Sequence, residues 1–227
     1  MKLRHGPARR FAALTNLPAR RFAALTLAAW LAAGWPASGG CASSPEPQFY
    51  TLFPRGGSEL PSEPLQVELR RPGLPGYLDR PQIVRHQESE KLEFSANSRW
   101  GAPLQDMVGS ILAENIAQRL PGSSVFTEAG AISASPDALV ELDLQRFELT
   151  SKGSVELIAQ VAVHWPKTAA SPRLDRYTLS SPSRGITTEQ LVTQMSLLLA
   201  ELADSIARSI SAGAPKAPGE PSAEPAH

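Results

Sequence analysis

The stretch ALVELDLQRFELTSKGSVELIAQVAVHW, residues 138–165, decides the fold class. Val140, Leu142 and Leu144 alternate with polar residues, and the phase then slips so that Phe147 and Leu149 continue it, which predicts a bulge or bend near Arg146. After the turn residues Ser151-Lys152-Gly153, the positions Val155, Leu157, Ala159, Val161, Val163 and Trp165 stay in phase. Two long strands joined by a tight turn form an antiparallel hairpin with one buried face.

Working outward, Leu104, Met107, Val108, Ile111, Leu112, Asn115, Ile116 and Leu120 fall on one helical face, with Pro103 suited to the first turn and Pro121-Gly122 as the stop. A second helix carries Leu191, Val192, Met195, Leu198, Leu199, Leu202 and Ile206; Thr187 and Gln190 form a capping pair at its start, and Gly213 ends it. Shorter strand patterns occur in FYTLF from Phe49, in LQVELR with Leu65, Val67 and Leu69, in PQIVRHQ and KLEFSA as a second hairpin, in SSVFTE, and in RYTLSS. These elements predict one α/β or α+β domain over residues 48–212, a mixed sheet of about 6–7 strands packed against two long amphipathic helices. The segment 213–227 has four prolines and no large apolar residue, the composition of an extended, disordered tail.

Residues 1–40 have a different character. Basic residues up to Arg21 precede an apolar run from Phe22 to Trp35, then small residues and Cys41, the layout of a secretory signal. A spanning helix needs roughly 20 apolar residues, more than this run supplies. RRFAALT occurs at 9–15 and again at 20–26, a local duplication rather than a repeat fold. Cys41, the chain's one cysteine, lies directly after small residues and resembles the lipidated cysteine of a bacterial lipoprotein; Ser38 stands where such signals usually carry leucine. Ala42-Ser43 behind it resembles the sorting context of outer-membrane lipoproteins. Residues 41–47 then form a short linker that holds the domain close to the bilayer.

Composition narrows the function classes. The 227 residues are 42% hydrophobic and 19% charged, with 22 basic and 22 acidic side chains. Residues 1–40 hold six of the basic ones and no acid, so the remainder carries 16 basic against 22 acidic, a charge opposed to nucleic-acid binding. A single cysteine excludes an intramolecular disulfide and a cysteine-based zinc site. The sequence has no GxSxG, HExxH, GxGxxG or phosphate-loop pattern. His86 and His164 lie on separate predicted strands, and Glu88, Glu90 and Glu93 occupy polar positions of a strand pair. The protein is read as a non-enzyme without metal or cofactor, apart from the covalent lipid expected on Cys41.

The string LPGYLDRPQIV at 74–84, Arg99-Trp100 ahead of the first helix, ILAENI within it, and the start CASSPEPQFYTL together resemble the PqiC-like family, the auxiliary lipoproteins of ABC-type intermembrane transport systems. The resemblance implies an outer-membrane lipoprotein facing the periplasm of a Gram-negative bacterium, with an MCE-domain inner-membrane protein as partner in a route for lipids, and it is compatible with a homo-oligomer. A stand-alone lipid carrier with an apolar pocket is the alternative. Pro75-Gly76 and Pro81 stiffen the backbone around Tyr77, Leu78, Asp79 and Arg80. Tyr77, Leu78, Asp79, Arg80 and Pro81 therefore form a candidate partner-binding loop, set against a purely architectural role. Trp100 is expected to plug the core, and Arg99 to meet a nearby carboxylate.

Overall fold

A computed structural model describes residues 46–86, 91–169, 171–183 and 185–213. The signal expected at 1–40, Cys41, most of the 41–47 linker, the 214–227 tail, Glu88 and Glu90 lie outside the described residues. The elements run β1 (Gln48–Tyr50), β2 (Gln66–Leu69), β3 (Gln82–His86), β4 (Leu92–Trp100), α1 (Leu104–Arg119), β5 (Ser124–Thr127), β6 (Ala138–Leu149), β7 (Ser154–His164), β8 (Arg173–Pro182) and α2 (Thr188–Gly213).

The predicted hairpin is the centre of the sheet. β6 pairs antiparallel with β7 from Leu139↔His164 to Leu149↔Val155, and its register shifts between Leu144 and Arg146, where the phase of the sequence slips. Gly153 makes the turn at φ 74°, a left-handed conformation that glycine adopts without strain. The other long edge of β6 receives two short parallel strands, β2 through Val67↔Ala138 and β3 through Arg85↔Leu149. Between them Gly73 bridges Asp143, so residues 66–85 run alongside β6 with an excursion at 74–81. β5 adds parallel to β2, β4 antiparallel to β3, and β1 parallel to β4.

The sheet thus has eight mixed strands rather than 6–7, and the two helices pack on one face of it. KLEFSA is only the start of β4, which continues to Trp100. RYTLSS lies within a ten-residue strand that pairs with β7 along its whole length. FYTLF is a strand only as far as Tyr50; Leu52 is buried beyond its end.

Burial follows the sequence periods. Val155, Leu157, Ala159, Val161 and Val163 are at most 2% exposed, as are Leu191, Leu199, Leu202 and Ile206 of α2. On α1, Leu104, Met107, Val108, Leu112 and Ile116 are buried as spaced, Ile111 is only partly so, and Arg119 joins the interior. At the start of α2 the Gln190 side chain accepts from the Thr187 backbone N–H at 2.9 Å, and the Gln190 N–H donates to Thr187 Oγ1 at 3.3 Å. This capping box satisfies two donors that the helix leaves open. Thr187→Ala is expected to cost about 1 kcal/mol, checked by chemical denaturation; an unchanged midpoint would show that water caps the helix equally well.

Candidate functional site

Proline on either side shapes the excursion at 74–81. The Leu78 N–H donates to Pro75 O at 2.9 Å and the Arg80 N–H to Leu78 O at 2.9 Å, closing two successive tight turns. The Trp100 N–H donates to Pro81 O at 2.7 Å and fastens the loop's far end to the last residue of β4. Leu78 is 2% exposed and belongs to the core, whereas Asp79 and Pro81 are exposed.

Tyr77 has a structural task. Its hydroxyl donates to Glu148 Oε1 at 3.2 Å, and its ring lies 6.5 Å from that of His86. Since Phe147 and Leu149 face the helices, Glu148 points to the opposite face of the sheet, where the loop and β3 cover it to 2% exposure. His86 Nε2 stands 3.3 Å and Arg146 Nε 3.7 Å from the same carboxylate oxygen, and Oε2 has no hydrogen-bond partner among the described residues. Burial raises the Glu148 carboxyl above its ordinary value, opposed by His86, Tyr77 and Arg146. Burial, and then the charge of Glu148, likewise push the Tyr77 phenol up.

A carboxyl raised on folding contributes stability that is full below its unfolded value near 4.5 and is lost as pH rises through the folded value. Glu148→Gln removes that titration. The melting midpoint of the variant relative to the native protein should therefore improve as pH climbs from 4.5 towards 8; a constant difference across that range would contradict the assignment.

Arg80 turns away from this cluster. Its guanidinium lies 4.1 Å from the centroid of the Phe94 ring, a cation–π contact, and no ion pair joins it to Asp79 among the described residues. Asp79, Arg80 and Pro81 from the loop meet Trp100, Ala102 and Pro103 from the β4–α1 connection around a surface groove of about 340 Å³. Trp100 is 5% exposed, so it fills the core while one part of it walls the groove. Arg99 meets no carboxylate among the described residues; it lies opposite Phe49 in the β1–β4 register. The structure thus brings Asp79, Arg80, Pro81 and Trp100 together, puts Leu78 in the core, and directs Tyr77 to Glu148 and His86 instead of to the groove. Ala102, Pro103 and Phe94 were not among the expected site residues. Pro103 was legible only as a helix start, and a strand phenylalanine reads as core.

Other ionisable groups pair at the surface. His164 Nε2 is 3.0 Å from Glu141, and Lys167 Nζ is 2.7 Å from Asp137, whose carboxyl is held below its ordinary value first by that lysine. No group of three or more metal-ligating side chains occurs among the described residues. No helix among them is long and apolar enough to cross a membrane.

A family model described as the ABC-type transport auxiliary lipoprotein component matches residues 50–207. The chain belongs to this family. It is a family of transport accessory proteins, not of enzymes, and the match takes in every strand and helix that builds the groove. Among solved structures, a crystal structure described only as an uncharacterized protein superposes on this auxiliary lipoprotein with a TM-score of 0.61 at 16% identity, covering 74% of this chain and 100% of that one. Protein XCC0632 from Xanthomonas campestris, described as DUF330, gives 0.59 at 14% identity over 73% of this chain and 95% of its own. A PelC dodecamer from Paraburkholderia phytofirmans gives 0.33 at 13% identity over 69% and 92%. The first two share the fold of the auxiliary lipoprotein. No curated protein matches its sequence.

Proposed function

We propose that the domain is a docking component, held by a lipid on Cys41 at the periplasmic face of the outer membrane, which receives an MCE-domain protein of an intermembrane lipid transport system. The observation that carries this reading is the convergence of two stretches far apart in sequence, Asp79-Arg80-Pro81 and Trp100 to Pro103, on one groove. The groove combines an apolar floor with an exposed carboxylate and a guanidinium, the mixture found at the centre of partner surfaces. Its backbone is pinned at both ends, so little ordering entropy opposes binding. Membership of a transport auxiliary family supports the accessory role. The side chains between sheet and helices pack to near-zero exposure, which favours a docking domain over a carrier with its own lipid cavity.

The test is a pull-down of the processed protein from detergent-solubilised envelopes, with the intact mass of its amino terminus measured on the same sample. The expected result is an acylated Cys41 and a co-purifying MCE-domain protein. Arg80→Ala should weaken that recovery with little change in thermal midpoint, because Arg80 is only half-buried and the Phe94 ring it covers is 42% exposed. An unmodified terminus with co-purifying lipid and no partner would instead establish the carrier.

A further inference from the structure

The residues that follow Cys41, Ala-Ser-Ser-Pro-Glu-Pro-Gln, include no large apolar side chain; the first one reached is Phe49. Phe49 is 68% exposed and Phe53 57%, while Phe126 and Phe147 are buried at 8% and 1%. Both exposed rings belong to a stretch whose backbone is fixed. β1 is paired with β4, the Phe53 N–H donates to Ser196 Oγ at 3.2 Å, and the Tyr50 hydroxyl donates to Glu189 at 2.9 Å. Phe49, Phe53 and Arg55 together with Glu189, Val192 and Thr193 of α2 line a groove of about 290 Å³. The rings are thus held outward by a rigid support, the reverse of what the hydrophobic effect favours for a surface that meets only water.

We infer that this patch is a second membrane contact: Phe49 and Phe53 enter the head-group region of the bilayer that carries the Cys41 lipid. The inference rests on the anchor reading above and specifies which face of the domain the bilayer covers. Seven residues separate Cys41 from Phe49, and the eight Cα-to-Cα steps between them span at most about 29 Å when fully extended. The tether therefore keeps the patch at high effective concentration against the membrane surface. The charges beside the rings fit that occupant. Arg55 lines the groove and Arg99 lies opposite Phe49, and neither forms an ion pair among the described residues. Two cations beside two phenylalanines on an otherwise acidic domain offer partners for lipid phosphates and an apolar wedge between them. Glu189, the acid of the groove, is engaged by Tyr50 and by the start of α2.

The experiment uses the full chain, exported, processed and reconstituted into vesicles of phosphatidylethanolamine and phosphatidylglycerol whose acyl chains are brominated. Phe49→Trp and Phe53→Trp place a fluorophore in the patch. Leu174→Trp places one at a 71% exposed site on β8, outside it. Trp100 and Trp165, at 5% and 6% exposure, give a constant background. The expected result, with acylation of Cys41 confirmed by mass, is that either patch tryptophan loses most of its emission to the brominated chains and the β8 tryptophan loses none. Equal quenching at all three positions, or none at either patch position on an acylated protein, would overturn the membrane face. A chain without acyl groups would remove the anchor reading and this inference with it. Because both replaced rings are exposed, each variant is expected to fold, and either one suffices.

Discussion

Arg119→Ala is expected to lower the melting midpoint by roughly 10 °C, the equivalent of about 3–5 kcal/mol. Arg119 is 1% exposed, among the largest fully buried side chains in the protein. Its guanidinium pairs with Asp204 of α2 and donates to Arg55 O at 3.2 Å, Asn115 O at 2.8 Å and Ala200 O at 3.1 Å. One side chain thus satisfies carbonyls on the segment after β1 and on both helices. Its close approach to that segment demands glycine at 57, since a Cβ there would overlap the guanidinium. Alanine takes the donor from Arg55 O, strips the second donor from the helical carbonyls of Asn115 and Ala200, and empties the volume of a large buried side chain. Asp204→Ala leaves the buried Arg119 guanidinium without its counter-charge, a cost of the same order, and it should fall below that of Arg119→Ala only because the bonds from Arg119 to the three carbonyls remain. Circular-dichroism melts of both variants and of Arg119→Lys check the ranking; a shift of only about 2 °C for Arg119→Ala would mean that water reaches those carbonyls.

Trp100→Ala carries the other large effect, about 3–5 kcal/mol for emptying a buried aromatic site. The indole packs in the core beneath the groove, and its backbone N–H holds Pro81. Truncation removes the wall shared by the loop and the α1 entry, so stability and partner capture should fall together. Trp100→Phe refills most of the volume and should recover most of the stability. If Trp100→Phe melts like the native protein yet loses the partner, the indole itself belongs to the docking surface; if it restores both, Trp100 supports the groove from below. Thermal melts and the envelope pull-down on the same preparations separate the two.

These sites differ in how far the sequence announced them. The β6–β7 hairpin, its bulge near Arg146 and the α2 capping box are local patterns, in which period and turn chemistry act within a few residues. The alignment of β2 and β3 along one edge of β6, and the parallel pairing of β1 with β4, join segments tens of residues apart that no local period encodes. The full length of β8 is faint in the sequence because Asp175, Tyr177 and Ser181 alternate without a run of aliphatic residues. Arg119 falls on the buried face with Leu112 and Ile116, but its charge reads as surface until Asp204 is known to face it. The string at 74–84 marked the groove by resemblance. Its geometry, with Tyr77 stapled to a buried carboxylate, Asp79 exposed and Arg80 laid over the Phe94 ring, required the fold.

The most direct test of the docking account is a site-specific photocrosslink in intact envelopes, with a benzophenone side chain in place of Asp79 at the rim of the groove. The expected result is a covalent product with an MCE-domain protein that disappears when Arg80 is also replaced by alanine, while the same probe at Leu174 gives none. Products from Leu174 matching those from Asp79, or no product from Asp79 on a folded, acylated protein, would contradict it.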